Sequence, residues 1–206
     1  WGKIDITLNL VGKHNVYNAL AAAANGLTLG FKIDAIKAGI ESVGVVPGRL
    51  EKVDCGQDFH VYIDFAHTHQ ALQIVLSTLR ETTKGRILLV FGCGGDRDRK
   101  KRPKMGHIAE KYSDLFWITS DNPRSEDPHN IIDEIQKGVR RKACSRVQAD
   151  RRIAIEEAIL EAKNGDVVVI AGKGHEQYQI SKDTTIPFDD REVVRQILES
   201  STISHF

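Results

Sequence analysis

The first part of the chain combines an alternating segment with two helical ones. Apolar and polar residues alternate at positions 4–10, which is the period of a half-buried strand, so we predict an edge or antiparallel strand there. An Ala-rich stretch at 16–29 favours a helix that Gly30 can end, and a second helix is predicted over 33–42. The pattern breaks at Pro47 and Gly48, so we predict two domains, 1–47 and 48–206.

Beyond residue 47, short apolar runs alternate with helical patterns. Strands are predicted at 50–53, 59–65, 86–91, 115–119, 146–148 and 166–170. Helices are predicted at 70–82, 104–112, 130–139, 152–162 and 191–198. This alternation predicts an α/β fold with a Rossmann-like, mostly parallel sheet and helices on both faces.

Composition excludes several classes of function. The 206 residues include 29 Lys plus Arg and 28 Asp plus Glu, and a formal charge of +1 gives no general attraction to nucleic acid or anionic membrane. No apolar run approaches the roughly 18 residues of a membrane span, and no signal peptide follows Trp1. We therefore expect a cytoplasmic protein without nucleic-acid or membrane partners. Because the first residue is not Met, we expect the chain to be a fragment of a longer protein.

Cysteine and histidine spacing argues against metal binding. Cys55, Cys93 and Cys144 are odd in number and lack a C-x-x-C pair, so we interpret them as free thiols. Cys93 lies between glycines, where a buried small residue is the favoured interpretation over a reactive thiol. No His pair has the H-x-x-x-H spacing, so no metal site is predicted.

Three loops follow predicted strands and carry unusual residues, at 92–99, 121–124 and 172–176. Parallel strands present their carboxyl ends at one edge of a sheet, so side chains from all three loops should converge around one ligand. The side chains concerned are Arg97, Asn122, Arg124 and Glu176.

The turn at 121–124 is the most informative of the three. Its amide and guanidinium suit a ligand with a carboxylate, because Arg124 can grip that group with two parallel hydrogen bonds while Pro123 fixes the turn. The other loops lack nucleotide motifs: a G-x-G-x-x-G fingerprint would need glycine at Arg97, and 172–176 lacks the P-loop frame. The run 99–102 is interpreted as a solvated charge run.

Two further pairs of side chains have alternative interpretations. Asp64 can bind ribose hydroxyls and His67 can stack on a base; alternatively, Asp64 caps the following helix, with His67 and His69 exposed. Asn15 and Asn18 project from one helix face and could meet an adenine edge, although capping by Asn15 is the preferred interpretation.

Seven motifs run in order through nearly the whole chain. They are Gly12-Lys13-His14-Asn15 with Asn18, Pro47-Gly48-Arg49-Leu50-Glu51, Asp64-Phe65-Ala66-His67-Thr68, the loop at 92–102, Asp121-Asn122-Pro123-Arg124, Gly172-Lys173-Gly174-His175-Glu176, and Phe188-Asp189-Asp190-Arg191-Glu192. In these motifs the chain resembles the Mur ligases, and within them the branch that adds meso-diaminopimelate during peptidoglycan synthesis. Family members often carry Tyr where Phe65 stands and Pro where His69 stands, so this chain departs from the family pattern there.

The resemblance implies roles for both regions. Residues 1–47 would be the tail of a central ATP-binding domain, and 48–206 the domain that receives the amino acid. The implied diaminopimelate-binding residues are Arg97, Asp121, Asn122, Pro123, Arg124, Gly172 and Glu176. The implied ATP-binding residues are Asn15, Asn18, Arg49, Asp64 and His67.

The resemblance also implies a reaction. ATP would phosphorylate the D-glutamyl carboxylate of UDP-MurNAc-L-Ala-D-Glu, and an amine of diaminopimelate would then displace phosphate, with Mg²⁺ neutralising charge. The chain has no P-loop, so the principal ATP and Mg²⁺ ligands should lie in the rest of the ligase, and the fragment alone should be inactive. Alternatives are a lysine-adding or folylpolyglutamate-type ligase and a non-catalytic Rossmann-type binding module; a lysine-adding enzyme has no second carboxylate for Arg124 to pair.

Overall fold

The chain divides between Pro47 and Gly48 into two compact units. The structure is a computed structural model that describes residues 3–182 and 184–203. Helices α1 (Lys13–Thr28) and α2 (Ile33–Glu41) belong to the first unit. They pack closely, because a Cβ added at Gly26 would lie 2.9 Å from Cγ1 of Ile36.

The predicted strand at 4–10 is wrong, since these residues form no regular secondary structure. An alternating pattern becomes a strand only when a neighbouring strand completes its backbone hydrogen bonds, and none of the described residues does so. Glu41 holds the segment instead. Its carboxylate accepts the Thr7 N–H at 2.8 Å, and its carbonyl accepts Asn9 Nδ2 at 3.0 Å.

A six-stranded sheet organises the second unit. Its strands are β1 (Glu51–Val53), β2 (His60–Asp64), β3 (Ile87–Phe91), β4 (Leu115–Ile118), β5 (Ser145–Val147) and β6 (Val167–Ala171). They are ordered β1-β2-β6-β3-β4-β5, and every pair is parallel except β1 with β2. The mostly parallel α/β sheet is confirmed.

Helices cover both faces of this sheet, as predicted. They are α3 (His69–Thr82), α4 (Lys101–Tyr112), α5 (Pro128–Gln136), α6 (Arg151–Glu161) and α7 (Asp190–Ile203), with a short 3-10 helix at Lys142–Cys144. Apolar residues of α3, α4 and α5 pack with Leu89 and Phe91 on one face, whereas those of α6 and α7 pack with Leu88 and Val90 on the other. Successive residues of β3 thus serve two cores, which is why the whole strand is apolar.

Sequence patterns missed a two-stranded antiparallel hairpin, β7 (Tyr178–Ser181) and β8 (Thr184–Pro187). Both strands are largely exposed, and their connection lacks the Asn-Gly signature of a tight hairpin. Helix α4 also begins three residues before its predicted start. Pro103 lies in its first turn, where a proline removes no helical hydrogen bond.

The strand order indicates which edge of the sheet is suited to ligand binding. From β5 the chain returns through α6 to β6, which lies between β2 and β3. This reversal is the topological switch point at which open α/β sheets bind ligands, outside the carboxyl ends of their strands. Phe91 and Ala171 are paired at the ends of β3 and β6, so the loops that follow these strands start side by side.

Candidate functional site

A cavity of about 550 Å³ opens at the carboxyl edge of the sheet. Its walls come from the loops that follow β2, β3, β4 and β6, so the predicted convergence of the loops is correct. The predicted site residues that line it are His67, Arg97, Asp121, Asn122, Arg124, Gly172 and Glu176. A cavity of this size suits a small molecule.

Glycines allow the loops to approach one another closely. A Cβ added at Gly95 would lie 1.9 Å from the Pro123 carbonyl oxygen, and one added at Gly172 would lie 2.5 Å from Oδ2 of Asp121. Gly172 also has a φ of 117°, which side-chain-bearing residues rarely adopt. The glycine-rich loops therefore bring backbone and acidic side chains together, which ordinary residues would prevent.

The hairpin fixes the backbone of the loop after β4. The Arg124 N–H donates to the Ile180 carbonyl at 3.0 Å, and the Lys182 N–H donates to the Arg124 carbonyl. Nε2 of Gln179 donates to the Asp121 carbonyl at 2.8 Å. These bonds hold Arg124 at a φ of 52°, an unusual conformation for a residue with a side chain.

Two guanidinium groups line the cavity. Nη1 of Arg124 donates to the Gly95 carbonyl at 2.9 Å, while its Nε and Nη2 make no hydrogen bond to the described residues. Arg97 is exposed, and its Nη1 donates to the Asp96 carbonyl at 3.2 Å. Pro123 is buried and does not line the cavity; its carbonyl accepts the Glu126 N–H at 3.0 Å. The two arginines therefore offer donors to an anion.

Two carboxylates lie on the same cavity. Oε2 of Glu176 accepts a hydrogen bond from Nδ2 of Asn122 at 2.8 Å. Asp121 is 7% exposed, and its carboxylate accepts no hydrogen bond from any described residue. A buried carboxylate without such a partner is costly unless a cation or donor meets it. The cavity can therefore bind positive as well as negative groups of a ligand.

Sequence reasoning missed Lys173, a fully buried lysine behind these side chains. Its Nζ lies 3.1 Å from Oδ1 of Asn122 and 3.4 Å from Oε2 of Glu176. Burial lowers the pKa of its ammonium from the ordinary value. The available signal was its position, directly after a buried strand and between two glycines.

The interpretation of residues 99–102 as a solvated charge run is wrong for Arg102, which is fully buried. Its guanidinium contacts Glu126 at 2.7 Å and Glu134 at 2.8 Å. An arginine is stable in the interior only when carboxylates compensate its charge, and these two come from elements beyond the run. The sequence of the run alone could not reveal them.

This ion pair ties together the loops after β3 and β4. Arg102 donates to the Gly94 carbonyl at 3.2 Å, and Oε1 of Glu126 accepts the Asp96 N–H at 2.7 Å. The hydrogen bond from Arg102 lowers the pKa of Glu126 to about 2. Arg97 follows directly on this anchored backbone.

A second buried pair supports the chain at the ends of β4 and β6. The side chains of Arg151 and Asp190 are both fully buried and meet through two hydrogen bonds of 2.8 Å. Arg151 also donates to the carbonyls of Ser120 at 3.3 Å and Ala171 at 3.1 Å. It thereby joins the chain just before Asp121 to the end of β6.

The end of β2 differs from the predicted arrangement. The carboxylate of Asp64 is buried and accepts the N–H groups of Leu50 and Ala66, each at 2.8 Å. Asp64 does not cap the following helix; Thr68 does, by accepting the Ala71 N–H at 3.2 Å. Asp64 therefore links the residue before β1 to the loop after β2.

The side chains of His67, in the loop after β2, and Arg49, just before β1, are both exposed. Nδ1 of His67 lies 2.8 Å from the Phe65 carbonyl, and the guanidinium of Arg49 lies 5.4 Å from the centre of the Phe65 ring. Lys101, which the sequence analysis did not single out, donates from Nζ to the His67 carbonyl at 2.7 Å and also lines the cavity.

Asn15 and Asn18 lie on one face of α1, as predicted, and Nδ2 of Asn18 donates to Oδ1 of Asn15 at 3.2 Å. The capping interpretation of Asn15 is wrong, because Gly12 is the N-cap and Asn15 donates to the Val11 carbonyl at 2.8 Å. Both asparagines line a cavity of about 210 Å³ within the first unit.

Cys93 is buried, and that burial raises the pKa of its thiol to about 12, as expected for an inert thiol. All three cysteines are free. Within the described ranges, no three His, Cys, Asp or Glu side chains are grouped so that they could hold a metal ion. Among the described helices, none has the length and apolar character needed to cross a membrane.

Comparison with known proteins identifies the family. Residues 48–174 match the family model described as "Mur ligase, glutamate ligase domain". The chain belongs to the Mur ligase family. The match covers the six-stranded sheet and the first three residues of the loop after β6.

Individual Mur ligases extend this similarity. The chain is 54% identical over 195 residues to the UDP-N-acetylmuramoyl-L-alanyl-D-glutamate--2,6-diaminopimelate ligase of Syntrophomonas wolfei, a match that covers 94% of this chain and 40% of that protein. A solved structure of a ligase with that name aligns with a TM-score of 0.75 and 37% identity, over 98% of this chain and 41% of its own. The chain therefore spans about 40% of the relatives' length.

A folylpolyglutamate synthase from Mycobacterium tuberculosis, solved with ADP and AMPPCP, is also similar. It aligns with a TM-score of 0.60 and 27% identity, over 82% of this chain and 39% of its own. The fold is thus shared with a ligase whose name specifies a different product, so the amino acid used by this Mur ligase must be argued from the cavity.

Proposed function

We propose that the chain is the amino-acid-binding part of an ATP-dependent ligase that adds meso-diaminopimelate to UDP-MurNAc-L-Ala-D-Glu in the cytoplasm. The observation that carries this proposal is the charge pattern of the cavity, which presents Arg97 and Arg124 together with Asp121 and Glu176. Diaminopimelate carries two carboxylates and two amino groups, whereas lysine lacks the second carboxylate. The names of the most similar relatives support the same substrate.

Arg124 is the proposed specificity residue. Its backbone is fixed by the hairpin, and its Nε and Nη2 remain available for a planar, bidentate contact with a carboxylate. Asp121 and Glu176 would take an ammonium group, and Arg97 would add a second positive charge. With Asn122, Pro123 and Gly172 shaping the wall, the cavity would hold the amino acid while its other amine attacks.

We also propose that the chain contributes contacts to ATP through Arg49, Asp64, His67, Asn15 and Asn18. The positions of Arg49 and His67 support this, because both are exposed beside the cavity's β2 wall. Asp64 accepts hydrogen bonds from the N–H groups of Leu50 and Ala66, which are the sequence neighbours of Arg49 and His67. Asp64 would therefore act by positioning Arg49 and His67.

The remaining functions are assigned to the rest of the ligase chain. The described residues hold no metal-binding group of side chains, and the sequence has no P-loop. The remaining part of a ligase of the relatives' length would therefore bind magnesium, the phosphates of ATP and the UDP-sugar. The 206 residues alone would not catalyse the ligation. ATP-dependent ligation by the 206-residue chain would disprove this assignment.

Replacement of Arg124 in the parent ligase tests the substrate. The variant R124A should lower kcat/KM for meso-diaminopimelate about 10- to 100-fold, as expected for the loss of a charged hydrogen-bonded contact, and should leave kcat/KM for lysine unchanged. Steady-state kinetics with both amino acids measures the ratio. The control R195A removes an exposed arginine of α7 and should not alter it. An R124A enzyme that keeps its full preference for diaminopimelate would contradict the proposed role.

A further inference from the structure

Lys173 lies behind the residues that line the cavity and is not one of them. Its side chain is fully buried, and its Nζ has three oxygen acceptors: Oδ1 of Asn122, Oε2 of Glu176 and the carbonyl of Tyr178. A buried ammonium is costly unless such acceptors compensate it. The lysine is therefore a fixed cation behind two side chains that face the ligand.

Lys173 and the backbone of Ile180 together determine which way the Asn122 amide points. Oδ1 of Asn122 accepts hydrogen bonds from Nζ of Lys173 at 3.1 Å and from the Ile180 N–H at 3.0 Å. Both partners are only donors, so the oxygen must occupy this position and Nδ2 must face Glu176. Both acceptor sites of Oδ1 are used, and one N–H of Nδ2 donates to Glu176. The amide can therefore offer a ligand only the second N–H of Nδ2.

Lys173 also offsets negative charge in the cavity. Carboxylates of Asp121 and Glu176 act on it from the loop after β4 and from its own loop, and both favour its charged form. From the helices packed behind it, Arg151 and Asp190 contribute charges of opposite sign, and the Tyr178 ring lies 5.9 Å from its Nζ. Without this cation, the negative charges of the two carboxylates would lack a compensating charge behind the cavity.

We infer that Lys173 is a positioning residue for the amino-acid substrate, which helps to orient the Asn122 amide as a donor and holds the Glu176 carboxylate in place for the substrate's ammonium group. The inference rests on the proposed function, because it needs a substrate with an ammonium group in this cavity. It assigns to the lysine of Gly172-Lys173-Gly174 a role in recognition without ligand contact.

The test replaces Lys173 by Met in the parent ligase, which keeps the side chain's length and removes its charge. K173M should raise KM for meso-diaminopimelate about 10-fold or more, as expected when a buried charged hydrogen bond is lost, with KM for ATP within about twofold of wild type. The kcat should change less than KM for the amino acid, which separates a role in recognition from a general loss of structure. K84M, which changes an exposed lysine beside the amino end of β3, is the matched control and should change neither quantity.

The outcomes separate the inference from the proposed function. A wild-type enzyme that does not ligate diaminopimelate refutes the proposed function. A wild-type enzyme that does, together with a folded K173M variant whose KM for the amino acid is unchanged, refutes the inference. An equal rise in KM for all substrates also refutes it. If K173M does not fold, K173R decides: a KM for the amino acid near that of wild type with this charge-conserving variant supports the role, and an equal rise in KM for all substrates overturns it.

Discussion

The two units of this chain differ in where they place their apolar side chains. Among the described residues, every buried apolar side chain belongs to the second unit. The first unit instead exposes large hydrophobic residues, including Leu20 at 61%, Leu29 at 75% and Phe31 at 59%. The same kinds of residue therefore form a core in one unit and an uncovered surface in the other.

This difference shows which part of the chain can stabilise itself. The second unit packs apolar layers on both faces of its sheet and has ion pairs in its interior. In the first unit, α1 and α2 pack on each other, but a pair of short helices buries too little apolar surface for independent stability. Large exposed hydrophobic residues in such number are typical of a region that further polypeptide covers. It supports the proposal that residues 1–47 belong to a larger ATP-binding domain.

The largest expected effect comes from replacing one leucine in each unit by alanine. Leu76 in α3 is fully buried and Leu20 in α1 is 61% exposed. L76A should lower the free energy of unfolding by about 2–5 kcal/mol, because it leaves a cavity in the core. L20A should change it by less than about 0.5 kcal/mol, since alanine is a good helix former and little burial is lost. Urea unfolding followed by circular dichroism measures both, and equal losses would show that the first unit has a core of its own.

The next test concerns charge in the second unit. The folded pKa of Glu126, about 2, is below its ordinary value of 4.5, so ionised Glu126 stabilises the fold above pH 4.5 and this stabilisation is lost as the pH falls towards 2. E126Q should therefore be less stable than wild type by about 1–2 kcal/mol at pH 7, after allowance for partial solvent screening of the pair. Below pH 4.5 the difference should shrink. Urea unfolding across pH 2–7 measures it.

The control for this test comes from the first unit. Glu41 forms a partly exposed pair with Lys37 at 3.7 Å, and glutamine at position 41 can still accept the Thr7 N–H. E41Q should change the free energy of unfolding by less than about 0.5 kcal/mol. If E41Q matches E126Q in size and pH dependence, buried and exposed pairs do not differ in the way that the two units suggest.

The parts of the fold that could be predicted from sequence are those with a local cause. The strands β3 and β6 consist of five successive apolar residues each, and the carboxyl ends of parallel strands must share an edge, so the convergence of three loops followed. Arg124 and Glu176 could be predicted as site residues in the same way, because each lies in a loop that follows an apolar strand.

The parts that escaped prediction depend on partners distant in sequence. Arg102 looks like one member of a charged run, and only Glu126 and Glu134 make it a buried residue. The role of Lys173 depends on Asn122, 51 positions away, and on a hairpin with weak turn chemistry. Conversely, the pattern at 4–10 is that of a strand, but no described residue pairs with it. Local patterns specify what an element can become, and tertiary partners decide whether it does.

The smallest effect, and the most direct test of whether the units unfold separately, comes from two glycines with the same local strain. Gly30 in the first unit and Gly165 in the second both have a φ of 80°, and a Cβ added at either would meet no atom within 4 Å. Replacement by alanine should therefore cost about 1 kcal/mol at each site, from the backbone alone.

The two variants should differ in where that cost is felt. G165A should lower the free energy of unfolding of the second unit by the full amount, because Gly165 lies between α6 and β6. G30A should leave that transition unchanged and speed hydrogen exchange of the α1 amides about fivefold, since Gly30 donates to the Leu27 carbonyl at the end of that helix. Hydrogen exchange resolved by residue measures both effects. If G30A instead accelerates exchange in β3 and β6 as much as in α1, the chain unfolds as one cooperative body, and the exposed surface of the first unit has no bearing on its stability.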